Sequence, residues 1–364
     1  MIQKAKTASL DGKMKRRRRA MAWSFVITLV AATLLPLSGY VVTALAPSQA
    51  VAQESRDDVN PRAEYWREVR KGSEGYTSAS GPYTTSVMVQ NGGENWRQVR
   101  NGPVASITPW MLAIVLGAIA LFYLWRGTKR VDPRPSGVLV ERWSLGERVM
   151  HWYVAILFII LAITGLSLLF GRAVLIPVLG YQGFSAWATL AMNLHNYLGP
   201  FFMIGVVVEI VVWIRYNVFK SYDWEWFKQG GGMFKKGGAH PPAGRANAGE
   251  KVWFWIIATI GLIGVCVTGL ILDFPNFGQT RETMQLANVL HASLGVLWIA
   301  IAFGHIYLGT LGVEGAFQGM STGMVSREWM QQHHDKWYED MKRTGRLSGS
   351  ESAGKAPSGR RQTT

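Results

Sequence analysis

Leu290-His291-Ala292-Ser293-Leu294-Gly295-Val296-Leu297-Trp298-Ile299-Ala300-Ile301-Ala302-Phe303-Gly304-His305 is the stretch that decides the fold. It contains no Asp, Glu, Lys or Arg and belongs to an apolar run that continues to Leu311, long enough as a helix to cross about 30 Å of hydrocarbon. Its two histidines are 14 residues apart. At about 1.5 Å of rise per residue this separates them by about 21 Å and returns them to nearly the same helix face. One membrane helix therefore offers an imidazole near each end.

Working outward, further apolar runs occur at 107–125, 152–170, 195–214 and 252–272. The expectation is an all-α integral membrane protein. The chain of 364 residues is 49% hydrophobic, diluted by a polar segment, a basic loop and a charged tail. Its net charge of +15 does not point to nucleic acid, because Lys and Arg gather beside the apolar runs, where cytoplasmic flanks retain positive charge.

Residues 1–52 combine a basic stretch from Lys13 to Arg19, an apolar run from Met21 to Leu35 and small residues around Ala44 to Ala52. They are expected to form a signal peptide, with a signal anchor as the alternative. Residues 53–105 are polar and extracytoplasmic on this reading, and they hold a near repeat, Trp66-Arg67-Glu68-Val69-Arg70-Lys71-Gly72 and Trp96-Arg97-Gln98-Val99-Arg100-Asn101-Gly102. The repeat is either a docking surface or two short amphipathic segments. Residues 106–126 form an additional transmembrane helix, 142–313 a four-helix domain, and 314–364 a tail. The basic segments 126–148 and 215–251 and the tail with Arg327, Lys336, Lys342, Arg343 and Arg346 are assigned to the cytoplasm, and the loops around Arg172 and Arg281 to the outside. The C-terminus is then cytoplasmic and the location a bacterial inner membrane.

Of seven histidines, His151, His195, His291 and His305 fall at the ends of the apolar runs or inside them. A polar ring in hydrocarbon needs a partner. Taken alone, each could be an interhelical hydrogen-bonding group. Matching by depth, however, pairs His195 with His291 toward the outside and His151 with His305 toward the inside. Two bis-histidine sites result, and neutral imidazoles from different helices suit the axial positions of two b-type haems. Zinc fits less well, since a structural zinc site gathers four ligands and the single cysteine, Cys266, supplies no thiolate cluster. Gly165, Gly199, Gly205, Gly269 and Gly295 permit either approach to a flat macrocycle or close helix packing. His240, His333 and His334 lie in a loop and in the tail and are not expected to be ligands. Ser326 to Met341 is expected as an interfacial amphipathic helix or a solvated one.

With these residues placed, the part of the chain from about Arg142 to Lys342 resembles the cytochrome b gamma subunit of respiratory formate dehydrogenases. The matching motifs are Arg148-Val149-Met150-His151-Trp152, Leu194-His195 with Gly199, Asn247-Ala248-Gly249-Glu250-Lys251, Leu290-His291-Ala292 with Gly295, His305-Ile306-Tyr307, and Val325-Ser326-Arg327 leading to His333-His334 and Trp337-Tyr338. The N-terminal part looks like the longer form of that family. The resemblance implies a four-helix di-haem cytochrome b bundle that takes electrons from an iron–sulfur (beta) subunit, itself joined to a molybdenum or tungsten catalytic (alpha) subunit, and passes them through two haems b to a membrane quinone. It further implies that His305 lies beside the quinone together with Asn247, Gly249 and Glu250, the last replacing the family's glutamine. Formate oxidation would reside in a partner. The competing expectations are the similar cytochrome b of membrane-bound nickel–iron hydrogenase and, in another class, a non-redox membrane scaffold or transporter component.

Overall fold

The computed structural model describes residues 91–233 and 240–347 continuously, together with Arg67, Lys71, Gly75–Tyr76, Val87–Val89 and Glu351–Ala353. The expected signal segment and most of the first copy of the Trp-Arg repeat lie outside the described residues, as do Lys235 and Lys236 of the basic loop.

Among the described residues five helices are long and apolar enough to cross a membrane, and the protein is a multi-pass membrane protein. They are α1 (Ala105–Arg126), α2 (Leu145–Val174), α3 (Ile176–Trp213), α4 (Ala248–Asp273) and α5 (Arg281–Tyr307). Among the shorter helices after these are α6 (Arg327–His333) and α7 (Asp335–Arg343). There are also short strands: β1 (Gly75–Tyr76) pairs antiparallel with β2 (Val87–Val89), and β3 (Val138–Glu141) lies between β4 (Met324–Ser326) and β5 (Glu351–Ala353).

Each of the five apolar runs among the described residues is a helix, but the ends differ from the sequence expectation. The second copy of the Trp-Arg repeat is not a separate polar segment. It is helical over Asn91–Val99 and continues through a π turn at Arg100–Val104 into α1. His195 does not open its span, since α3 starts at Ile176, with one non-helical residue at Gly180 (φ 69°, ψ 175°). Gln182, Ser185 and Asn193 dilute the hydropathy of that region, yet they do not interrupt a helix. On α1, Ile107, Ile114, Leu121 and Trp125 are 63 to 69% exposed, a surface suited to hydrocarbon rather than water. In α4 the middle, Ile257–Cys266, is wound as a π-helix between two α-helical ends.

The chain divides into two compact units. The first contains Phe158–Phe201 and Ile260–Ile301 with the described residues up to Ala120. Here α4 packs closely on α5, because glycines replace side chains at the contact. A Cβ at Gly261 would come within 2.7 Å of the Trp298 ring, and one at Gly264 within 2.7 Å of Leu294 Cδ1. Phe158 meets Trp298 edge to face at 5.1 Å.

The second unit contains Leu121–Leu157, Phe202–Thr259 and the described residues after Ala302. It includes a C-terminal cap whose buried core is Val131, Val140, Val325, Trp329, Met330, Trp337 and Met341. β3 and β4 bring Val140 opposite Val325. The tail is thus not one interfacial or solvated helix. It breaks at His334 (φ −145°, ψ 53°), and this break turns Trp329 and Trp337 into the same core. The Ser326 hydroxyl caps α6 by accepting from Trp329 N–H at 3.1 Å.

The cap is laced to the loop that precedes α4. Ala243 N–H donates to Asp335 Oδ1 at 2.7 Å, Lys336 N–H to Ala243 O at 3.0 Å, and His334 Nδ1–H to Gly244 O at 2.7 Å. Below the loop, Lys251 and Asp223 form a buried ion pair at 2.7 Å with side chains only 2% and 3% exposed. The Asp223 Oδ2 also accepts from Lys220 N–H, so this carboxylate closes a turn as well as a charge pair.

Candidate functional site

In the first unit the rings of His195 on α3 and His291 on α5 face each other with centroids 5.9 Å apart. Both rings are held by their Nδ1 atoms. His195 Nδ1 lies 2.9 Å from Thr164 Oγ1, and that hydroxyl is itself within 2.8 Å of Ile160 O. A hydroxyl whose hydrogen is given to a helix carbonyl must accept at its oxygen, so His195 carries its hydrogen on Nδ1. His291 Nδ1 lies 3.0 Å from Val265 O, which can only accept, and 3.3 Å from Thr268 Oγ1. In both rings Nε2 is therefore the unprotonated nitrogen and free for a metal, the arrangement by which an outer hydrogen bond fixes a ligand's tautomer.

Glycine next to each threonine makes room for the ring. A Cβ at Gly165 would stand 3.1 Å from His195 Cε1, and a Cβ at Gly269 would stand 3.1 Å from His291 Cε1. These glycines leave room for the histidine rings. One turn after each histidine, Gly199 and Gly295 have nothing within 4 Å of a Cβ, leaving the backbone open on the ligand side. Gly205 is a helix contact, its Cβ position lying 2.7 Å from Tyr153.

In the second unit His151 on α2 and His305 on α5 face each other with centroids 6.3 Å apart. Trp253 of α4 stacks on His305 at 4.8 Å and 13°. Trp213 lies 6.4 Å from His151. His151 Nδ1 is buried without a hydrogen-bond partner among the described residues. Both expected pairs are thus together, each within its own unit.

Both pairs fit a macrocyclic metal. Each puts two imidazoles across one gap, with ring centroids 5.9 and 6.3 Å apart, where they would hold a metal between them. Among the described residues no group of three or more His, Cys, Asp and Glu could hold a metal by itself. Two-ligand pairs suit a metal whose other positions are filled by a porphyrin.

Asn247, Gly249 and Glu250 come together at the start of α4. The Asn247 side chain accepts from Glu250 N–H at 3.0 Å, and Glu250 Oε2 accepts from Asn247 N–H at 3.0 Å, a reciprocal capping box. Glu250 Oε1 pairs with Arg142 at 2.7 Å, and Arg142 is 5% exposed with its guanidinium 4.6 Å from the Trp329 ring. A Cβ at Gly249 would meet the Trp226 ring at 2.7 Å. These residues do not bond to His305, which meets Trp253 of the same helix instead.

The histidines of the cap have a different character. His334 is buried and donates to Gly244 O, and burial together with the nearby Arg142 pushes it down to about 4. His333 is pushed to about 2 by burial and by His240, and His240 to about 4 by burial and by Lys129. All three are neutral near neutral pH.

Sequence reasoning missed Thr164, Thr268 and Trp253. A signal existed for the threonines: Thr164-Gly165-Leu166 recurs as Thr268-Gly269-Leu270.

Comparison with known proteins agrees with this geometry. A family model described as prokaryotic cytochrome b561 matches residues 142–323. The cytochrome b556(Fdn) subunit of the nitrate-inducible formate dehydrogenase of Escherichia coli K12 is 28% identical over 219 residues, 58% of this chain and 96% of that protein. The formate dehydrogenase cytochrome b556(fdo) subunit of the same strain is 28% identical over 211 residues, covering 56% and 94%. The formate dehydrogenase cytochrome b556 subunit of Haemophilus influenzae is 26% identical over 200 residues, covering 53% and 79%. Since the family model spans half of its length and five of the described helices are long and apolar enough to cross a membrane, the chain belongs to the prokaryotic cytochrome b561 family.

Proposed function

We propose that this chain is the di-haem cytochrome b subunit of a respiratory formate dehydrogenase in a bacterial inner membrane. It accepts electrons from an iron–sulfur subunit, which a molybdenum or tungsten subunit supplies by oxidising formate, and it delivers them to quinone. The observation that carries the reading is the presence of two opposed histidine pairs at 5.9 and 6.3 Å. Haem b, when bound, supplies one-electron chemistry between two-electron partners.

The chain's own residues do the rest. His195 and His291 hold one haem and His151 and His305 the other, with 14 residues separating the two ligands that α5 contributes. Thr164 and the Val265 carbonyl present Nε2 of the first pair to the iron. The positive flanks support a topology with the His195/His291 pair toward the outside and the His151/His305 pair, the capping box and the C-terminus toward the cytoplasm. Quinone binds beside His305, near Asn247, Gly249 and Glu250. The ion pair with Arg142 holds the Glu250 carboxylate in place and keeps it charged at the helix start, where a glutamine would be neutral. Residues 142–313 form the cytochrome domain and 314–364 the cytoplasmic tail. A redox loop follows: formate oxidation leaves protons outside, quinone reduction takes them from inside, and no proton channel is needed.

Purification of the tagged full chain in mild detergent tests this. The expected preparation contains an iron–sulfur subunit and a molybdenum or tungsten subunit, has a reduced b-type spectrum, and reduces quinone with formate. Copurification of a nickel–iron subunit active with hydrogen would reassign the donor. A preparation without a b-type spectrum would end the cytochrome reading in favour of a scaffold or transporter component.

A further inference from the structure

The two histidine pairs are held in different ways. In the first, hydrogen bonds reach both rings: His195 Nδ1 meets the Thr164 hydroxyl at 2.9 Å, and His291 Nδ1 meets the Val265 carbonyl at 3.0 Å. In the second, His151 Nδ1 is buried without a hydrogen-bond partner among the described residues, and aromatic rings stand around the imidazoles instead. The His305 ring and the Trp253 indole lie 4.8 Å apart, centroid to centroid, with only 13° between their planes, a stack in the range that aromatic pairs favour. Trp152 and Trp213 meet the His151 ring edge-on and tilted, at 5.3 and 6.4 Å.

The indole is itself fixed. Trp253 stands three residues after Glu250 and two after Lys251. Glu250 closes the capping box with Asn247 and pairs with Arg142 at 2.7 Å, and Lys251 makes the buried 2.7 Å pair with Asp223. The first turns of α4 are therefore tied down within this unit, and the indole they carry is a wall. An imidazole joined to a metal by one nitrogen can still turn about that bond. A hydrogen bond at the other nitrogen stops the turning, as at His195 and His291. A larger ring lying flat against it stops it too, because turning drives the imidazole edge into the indole face.

Resting on the haem reading above, we propose that Trp253 is a positioning residue that fixes the plane of the His305 imidazole in the haem held by His151 and His305. The rings of that pair stand at 49°, those of the first pair at 82°. In a low-spin ferric haem the angle between the axial imidazole planes sets the splitting of the iron orbitals that share the unpaired electron. Perpendicular planes leave these orbitals close in energy and give the larger magnetic anisotropy, and planes nearer parallel separate them. The axial ligands' orientation is thus readable without turnover.

Electron paramagnetic resonance of the oxidised full chain in its complex tests this, with each haem assigned from the single-histidine variants. Two low-spin ferric signals are expected, the His195/His291 haem having the larger greatest g value. Trp253→Leu, which removes the flat wall and keeps an apolar side chain, is expected to broaden and shift the signal of the His151/His305 haem alone, and to loosen retention of that haem by roughly two- to tenfold, the worth of one aromatic stack. Trp253→Phe, which keeps an aromatic face, is expected to restore most of the native signal. If only Trp253→Leu sheds the haem, a native signal in Trp253→Phe upholds the proposal. It is overturned by g values in the reverse order, by an unchanged signal in Trp253→Leu, by equal changes in both haems, by a Phe variant displaced as far as the Leu variant, or by loss of that haem from both variants, which would make the indole a packing group alone. Absence of haem from the unsubstituted protein would instead remove the reading on which the proposal rests.

Discussion

Thr164 and Thr268 do parallel jobs beside parallel carbonyls. The His195 ring has the Thr164 hydroxyl and the Leu161 carbonyl as partners, and the His291 ring has the Thr268 hydroxyl and the Val265 carbonyl. Thr164→Val and Thr268→Val therefore each remove one of two anchors of a ring. Outer hydrogen-bond partners of a metal ligand are worth roughly 10- to 100-fold in affinity, so each variant is expected to weaken retention of one haem by up to about that factor and to a similar extent. Haem per chain after graded detergent washing measures the loss. At the other site, Asn247→Ala and Glu250→Ala are expected to slow quinone reduction by about tenfold, the worth of a hydrogen bond to a charged group, at unchanged haem content. Stopped-flow oxidation of the haems by quinone checks the rate, and loss of haem in either variant would give the loop a structural role. The four histidines were legible in the sequence because a polar ring in hydrocarbon is conspicuous. Thr164 and Thr268 were marked only by the repeated Thr-Gly-Leu, which does not disclose their role, since a hydroxyl can satisfy itself on its own helix.

At the scale of elements, the start of α4 and the C-terminal cap behave as one assembly. Lys251→Met would strand the Asp223 carboxylate, which is 3% exposed, in a buried site. Removing one partner of such a pair costs roughly 3–5 kcal/mol, and replacing both by apolar residues recovers most of it. Hydrogen exchange over residues 220–226 and 248–255 is expected to accelerate in the single variant and to return toward normal in a Lys251→Met, Asp223→Leu double variant. The cap should also be sensitive to acid. His334 and His240 stand at about 4 in the folded protein against an ordinary value of 6.5, and His333 lower still at about 2. The unfolded cap therefore binds more protons than the folded one between these values, so their contribution is complete above pH 6.5 and declines as the pH falls toward 4. Exchange over residues 324–343, corrected for its intrinsic pH dependence, is expected to rise through that window; constant protection down to pH 4 would contradict it. The tail's amphipathic pattern was legible in the sequence, but its destination was not. The bonds from Ala243 and Gly244 to Asp335, Lys336 and His334 join residues about 90 positions apart, and no local pattern announces such pairings.

For the whole molecule, hydropathy revealed all five spans, because a stretch of about 20 apolar residues has few alternatives to a membrane helix. It placed their ends poorly. Gln182 and Ser185 lower hydropathy without disturbing helix geometry, so the helix that carries His195 extends back to the kink at Gly180, 15 residues before it. The histidine pairing survived that error because it rests on which ligands share a depth, and depth follows from the alternation of charge between loops rather than from helix ends. The measurement that tests this most directly is the reduced-minus-oxidised visible spectrum of the four single variants His151→Ala, His195→Ala, His291→Ala and His305→Ala, each with its haem content. His195→Ala and His291→Ala are expected to lose the same haem, and His151→Ala and His305→Ala the other, one haem being retained in every variant. Any other grouping of losses, or an unsubstituted protein with fewer than two haems per chain, would contradict the account.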